Sequence, residues 1–224
     1  MSFYEIAGLT AGLLALIGGL LYILAILGWG IDFSRLTLYK LKVPTRPNRI
    51  TWFIWTFVGA ITVLSYYESG ATHTVWFAAA LLLEYFIAFV LSIPYGEGSL
   101  RSERKKLGRD AICLVGAAAA AYAWWLFDTP EIALFATIAI DFFGAWPTIQ
   151  KAYAEPSSED RSAWTFSALG SIVNMFAIQW EWKLAIIAIA AYPIYMLVAN
   201  STIAALLYLP RRRRTQIQVR RGAI

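Results

Sequence analysis

The chain has almost no cysteine or histidine. Its 224 residues include one cysteine, Cys113, and one histidine, His73. A lone cysteine excludes an intramolecular disulfide and a cysteine-based metal site. A lone histidine in a short loop argues against zinc or haem held by histidines. Charge is scarce too: 15% of residues are Asp, Glu, Lys or Arg, against about 25% in an average soluble domain. No stretch reads as a soluble domain, a long linker or a low-complexity tract. A Ser-His-Asp set, a Gly-rich phosphate loop and an HExxH pair are missing. No lysine stands midway along the last apolar block to carry a retinal Schiff base. The Tyr-Asp and Gly-x-Gly-Asp surroundings of intramembrane aspartyl hydrolases are missing as well. The expectation is a protein without cofactor, without metal and without enzymatic activity.

What the chain has in abundance is apolar sequence, 59% of all residues. It falls into seven blocks: about 5–28, 50–67, 74–94, 110–127, 130–151, 163–180 and 184–208. Blocks of roughly 18 residues or more are long enough to span a bilayer as helices. The fold class expected is therefore all-α integral membrane, with seven transmembrane helices. Block one is too long for a signal peptide, and it lacks a basic leader and a cleavage site.

The basic residues set the orientation. All but Lys183 of the 19 fall after blocks one, three, five and seven. By the positive-inside rule the N-terminus is outside and the C-terminus cytoplasmic, in the cell (inner) membrane. The Arg-rich tail, 210–224, reads as a topology anchor that attracts anionic lipid, rather than as a nucleic-acid site.

Two segments resemble each other. RPNRITWFIW and EDRSAWTFSA both open a block after a cytoplasmic loop. Both carry Arg-x-x-Trp, Arg49 to Trp52 and Arg161 to Trp164, with Pro47 and Pro156 just upstream. Blocks one to three then match blocks five to seven, and block four is a linker. Three helices alone would invert the second copy, and a single extra helix restores parallel repeats related by an axis along the membrane normal. The divisions expected are 1–96 for the first three-helix repeat, 97–128 for a basic loop and linker helix, and 129–209 for the second repeat.

This 3-1-3 plan, with Pro147-Thr148 at the cytoplasmic end of block five, resembles the SWEET and PQ-loop superfamily. The resemblance implies a small-solute transporter with a central pocket between two three-helix bundles. The nicotinamide riboside carriers share this fold in general form.

The residues themselves point to a polar interior. In TIAIDFFGAWPTIQKAY, Asp141 lies ten residues from both Glu131 and Lys151, which is ~15 Å along a helix in either direction. Thr137, Asp141, Gly144, Ala145 and Thr148 form one polar or small face. Glu84 lies at a similar depth in block three. No Lys or Arg matches either depth, so each acid is a candidate for carrying protons or attracting a cationic solute. An ionisable group so placed is a functional-site hypothesis. In block six, Ser167, Gly170, Ser171, Asn174 and Ala177 share a face, with Asn174 a pocket candidate. Trp55, Gly59 and Thr62 are the equivalents of this face in block two, 112 residues earlier. In block seven Tyr192, Tyr195 and Asn200 are polar at depth. The substrate-binding candidates are thus Asp141, Glu84, Asn174, Trp55, Thr62, Tyr192, Asn200 and Thr137.

Pro147 and Pro193 are hinge candidates, since proline frees a backbone carbonyl and kinks a helix. Trp146 and Trp55 are gate or pocket candidates. Trp52 and Trp164 suit either an inner gate or an interfacial belt, and Trp180 and Trp182 suit the belt. The stripe Gly8, Gly12, Ala15 and Gly19 can serve a helix contact within the chain or in a homo-oligomer.

The functional expectation is transport of a small polar solute (sugar-, vitamin- or nucleoside-like), coupled or not to protons. The partners expected are the lipid bilayer and that solute, with no nucleic acid. Two rivals stand beside it. A non-transporting sensor or assembly subunit requires a dry bundle whose acids are paired. An intramembrane enzyme requires Glu84 and Asp141 to share a water.

Overall fold

The computed structural model describes residues 1–68, 70, 73–96, 111–112, 114–116, 118–119, 122, 125–126, 130–179 and 184–209. Most of them are helical. The elements are α1 (Phe3–Ile26), β1 (Trp29–Asp32), β2 (Thr37–Lys40), α2 (Arg49–Glu68) and α3 (Val75–Tyr95). The described residues within 111–126 are helical and together are called α4. Then come α5 (Pro130–Ala154), α6 (Arg161–Asn174) and α7 (Leu184–Tyr208). Most of the basic loop at 97–109, Cys113, Trp180, Trp182, Lys183 and the Arg-rich tail lie outside the described residues.

Local chemistry explains the helix starts. Ser2 and Glu5 form a reciprocal capping box at the start of α1. The Asn48 carboxamide oxygen accepts from the N–H groups of Ile50 and Thr51. The Asp160 carboxylate accepts from Ala163 N–H. Asn48 and Asp160 each stand one residue before the Arg of an Arg-x-x-Trp segment, so the two matching sequences begin their helices with matching caps. Gly28, at φ +82°, supplies the left-handed residue that ends α1.

Two features depart from the expected pattern. The loop after α1 is not simply a loop: β1 and β2 pair antiparallel, Trp29 opposite Lys40 and Asp32 opposite Thr37. In its turn the Asp32 carboxylate accepts from the Ser34 hydroxyl and N–H, and these bonds hold its pKa below the usual carboxylate value. The sixth block, expected over 163–180, is helical only to Asn174 and continues as a single 3-10 turn, Met175–Ala177. The run Ile172-Val173-Asn174 is poor in helix formers. The Met175 N–H is shared between the carbonyls of Ile172 and Val173, the tightening common at helix ends. At 14 residues, α6 is ~21 Å long, shorter than the ~30 Å hydrocarbon core.

Four helices among the described residues are long and apolar enough to cross a membrane: α1, α2, α3 and residues 190–208 of α7. Their outward faces carry large apolar side chains such as Leu13, Leu20, Phe57, Leu83, Phe86 and Val198, all exposed. Water-soluble monomers rarely display so much contiguous apolar surface.

The six long helices other than α4 pack as a closed ring in the order α1, α3, α2, α5, α7, α6 and back to α1. Exchanging α1, α2 and α3 for α5, α6 and α7 leaves that order unchanged. The glycine stripe of α1 serves this packing. A Cβ at Gly8 would meet the His73 carbonyl and one at Gly12 that of Trp76, both next to or on α3. The interior of the ring is aromatic, with Tyr22, Trp52, Trp55, Tyr66, Phe77, Tyr85, Trp164 and Tyr192 all buried.

Candidate functional site

The polar face expected on α5 points into the ring. Thr137, Asp141, Ala145 and Thr148 are all buried, Asp141 being 2% exposed. On α3, Glu84 is 7% exposed. It packs against Gly19 of α1, where an added Cβ would come within 2.9 Å of the Glu84 Cγ. Both acids line one cavity inside the ring. Its walls come from α2 (Trp52, Trp55), α3 (Glu84, Tyr85), α5 (Asp141, Ala145), α6 (Trp164, Ser167) and α7, from Tyr195 to Ile203. The space between them that a water can occupy is about 10 Å³, room for about one water.

One wall is aromatic. Trp52 and Trp55 meet edge to face at 88° with ring centroids 5.0 Å apart. Tyr85 lies 5.3 Å from Trp55 and 5.8 Å from Trp52, and Trp164 stands 6.3 Å from Trp55. Tyr22 of α1 backs the wall, 4.9 Å from Trp52 and 6.1 Å from Trp164. The Trp55 indole N–H points at the Asp141 carbonyl oxygen, 3.4 Å away.

The opposite side is polar and incompletely satisfied. Oδ1 of Asp141 and Oε2 of Glu84 are enclosed and have no hydrogen-bond partner. The Tyr195 hydroxyl lies beside the Asp141 carboxylate without a well-formed bond to it. The lining contains no Lys, Arg or His among the described residues. Asn200 donates from Nδ2 to the Ser171 Oγ at 2.9 Å.

At the end of the ring where α1, α3 and α5 finish and α2 and α6 begin, the cavity is closed by a linked set of groups. Trp164 Nε1 donates to Glu159 Oε2 at 3.1 Å. Lys151 Nζ sits 3.0 Å from Glu159 Oε1 and donates to the Arg46 carbonyl at 2.8 Å. Arg49 donates to the carbonyls of Ser92 and Ile93 at the end of α3. Arg46, Arg49, Lys151 and Arg161 therefore cluster at one end. Just outside the spans, Asp160 has its pKa raised, chiefly by burial and despite its bond from Ala163.

The structure thus brings together Asp141, Glu84, Trp55, Asn200, Trp52 and Trp164 of the expected site residues. Trp52 and Trp164 are buried wall residues, so neither serves as an interfacial belt. Trp146 does not belong to the site. It is 44% exposed and packs on Phe142 of its own helix, because position 146 falls on the opposite face from Asp141 and Ala145. Asn174, Thr137, Thr62 and Tyr192 are buried, but outside the cavity lining. The Thr62 hydroxyl donates to the Val58 carbonyl one turn back, Tyr192 packs on Tyr66 and Tyr195, and both polar atoms of Asn174 are enclosed without a partner. Pro147 and Pro193 lie inside α5 and α7 as buried residues off the lining.

Tyr85 and Glu159 are the parts of the site that sequence reasoning passed over. Tyr85 is adjacent to Glu84, which was its only signal. Glu159 sits in PSSEDR, a segment that reads as solvated loop. Among the described residues, no group of three His, Cys, Asp or Glu side chains could hold a metal. No family model, curated protein or solved structure matches the chain.

Proposed function

We propose that the chain is a multi-pass membrane carrier for a small polar solute. It would have seven spans on the 3-1-3 plan of the SWEET and PQ-loop superfamily, the N-terminus outside and the basic end in the cytoplasm of the cell (inner) membrane. The observation that carries this reading is the cavity. It lies inside a ring whose helix order is unchanged when the two sets of three helices are exchanged, and its walls come from both sets. Rocking of two such halves around a central site is the working principle of repeat-built transporters. The cavity as it stands holds about one water, so loading a solute requires the halves to separate. The buried set around Glu159, Lys151, Trp164 and Tyr22 is the inner closure in this reading, and Trp52 and Trp164 are its floor. Pro147 and Pro193 are the hinge positions, each where an intrahelical bond is missing.

The unpartnered oxygens of Glu84 and Asp141 weigh against a dry, fully paired sensor or assembly subunit. One observation favours a second reading, an intramembrane enzyme: the two acids line one cavity with room for about one water. The same cavity is lined by five aromatic side chains, Trp52, Trp55, Tyr85, Trp164 and Tyr195, and no third acid or base stands beside the two among the described residues.

Solvent access tests the carrier reading before any solute is known. Replace Cys113 by Ala and introduce Ser167→Cys in the cavity wall. In sealed vesicles of both orientations a membrane-impermeant thiol reagent is expected to label the new thiol from each face. A thiol that stays unlabelled from both faces while the protein remains folded sinks the carrier.

A further inference from the structure

Resting on the carrier reading, we infer that the cavity selects small organic monocations, of the quaternary or alkylated ammonium type, over neutral solutes of the same shape. The first ground is the aromatic wall. Trp52, Trp55, Tyr85 and Trp164 all line the cavity; Trp55 stands at 88° to Trp52 and 70° to Trp164, while Tyr85 is inclined 31° to it. A ring face that borders such a space attracts a cation through its quadrupole, most strongly when water is excluded. Trp is the best of the three ring types for this contact, and three of the four rings are Trp.

The second ground is independent of the rings. Two carboxylates line the same space, and each has an oxygen that is enclosed and lacks a hydrogen-bond partner. No cationic side chain lines the cavity among the described residues. A buried ionised carboxylate without a partner is costly. A cation arriving from outside supplies the missing counter-charge, which a neutral solute does not.

The donor inventory points the same way. A sugar needs both donors and acceptors arranged around its hydroxyl groups. Apart from the two acids and three indole N–H groups, the lining supplies the hydroxyls of Ser167, Tyr85 and Tyr195 and the side chain of Asn200. One amide N–H of Asn200 is already given to Ser171, the indole N–H of Trp164 to Glu159 and that of Trp55 to the Asp141 carbonyl. Alkylated ammonium groups have few or no hydrogen bonds to satisfy, so an aromatic wall and a carboxylate suffice for them.

Access from both faces, as read by Ser167→Cys labelling, and choice of ligand can be tested separately. Purified full-length protein is titrated with choline, with tetramethylammonium, with the neutral isostere of choline in which carbon replaces nitrogen, and with glucose. Binding is read both by thermal shift and by protection of Ser167→Cys from thiol labelling. The expected result is that choline binds at least about ten-fold more tightly than its isostere. That preference should fall to near unity in Asp141→Asn or Glu84→Gln and weaken several-fold in Trp55→Leu. If an acid-to-amide variant does not fold, protection of the thiol by choline but not by the isostere, in the otherwise unaltered chain, decides alone. Equal or tighter binding of the isostere or of glucose overturns the cation inference and leaves the carrier standing. A thiol labelled from both faces but protected by none of the four compounds also overturns it. A thiol labelled from neither face removes the carrier and the inference together.

Discussion

The indole N–H of Trp55 on α2 is directed at the backbone carbonyl of Asp141 on α5, across 3.4 Å. The contact joins the two sets of three helices at the level of the buried acid. It is made possible by Gly144, one turn after Asp141. A Cβ there would lie 2.7 Å from the Trp55 Nε1.

Gly144→Ala is therefore expected to destabilise. Alanine ordinarily gains about 0.5–1 kcal/mol over glycine inside a helix. Here the indole cannot swing away, because Trp52, Tyr85 and Trp164 surround it. Overpacking of this kind costs roughly 1–3 kcal/mol, so after the helix gain a net loss of up to about 2.5 kcal/mol is expected. Thermal unfolding in detergent measures it, and a raised Tm would show that Trp55 is free to move.

Lys151 and Glu159 are expected to be strongly coupled. The Glu159 side chain is 2% exposed and that of Lys151 17%. Lys151→Ala leaves a buried carboxylate without its cation, a loss of about 3–5 kcal/mol for a fully buried pair. The partial exposure of Lys151 places the expected value at the lower end. Lys151→Ala combined with Glu159→Gln should recover a large part of the loss. A double-mutant cycle with no interaction energy would count against the pair as the inner closure.

Trp164→Phe tests the donor to Glu159 separately from the ring. Phenylalanine keeps an aromatic face in the wall but removes the Nε1–H, 3.1 Å from Glu159 Oε2. Hydrogen bonds to charged groups contribute about 1.5–3 kcal/mol. A loss in that range is expected, and it should shrink in a Glu159→Gln background. An equal loss in both backgrounds would assign the effect to packing.

The two capping residues are expected to behave alike. Asn48→Ala removes the acceptor for the N–H groups of Ile50 and Thr51, and Asp160→Ala removes the one for Ala163. Each should cost about 1 kcal/mol. A measurable loss at one site only, in chemical unfolding, would break the equivalence of the two Arg-x-x-Trp segments.

Much of the architecture was legible in the chain because membrane helices write their own signal. Apolar length fixed the places of α1, α2, α3 and α7 to within a few residues, since every backbone polar group in lipid must be satisfied within its own helix. Helical spacing put Thr137, Asp141, Ala145 and Thr148 on one face, and all four are buried in the ring. The same spacing assigns Trp146 to the other face, five residues from Asp141. Its sequence depth had suggested a gate, but depth along a helix says nothing about direction around it.

Other features lay beyond any local pattern. The end of α6 at Asn174 depended on a weak run of helix formers inside an apolar block whose hydropathy continues. The hairpin of Trp29–Asp32 with Thr37–Lys40 lacks the Asn-Gly or Asp-Gly turn that would have announced it. Glu159 looked solvated because its partners, Lys151, Trp164 and Tyr22, are brought to it from α5, α6 and α1 by packing alone.

The sequence by itself determined which segments are long and apolar, which acids sit midway along them, and where two helices begin with the same Arg-x-x-Trp. These are consequences of composition and of spacing along one helix. Only the tertiary structure decided that Glu84 and Asp141 line one cavity, that Trp52, Trp55, Tyr85 and Trp164 form its wall, and that Asn174 and Tyr192 stand outside it. Those outcomes depend on the order of helices around the ring and the rotation of each about its own axis. Both are set by how glycines and large aromatic rings from distant segments fit together, and no single segment of the chain encodes that fit.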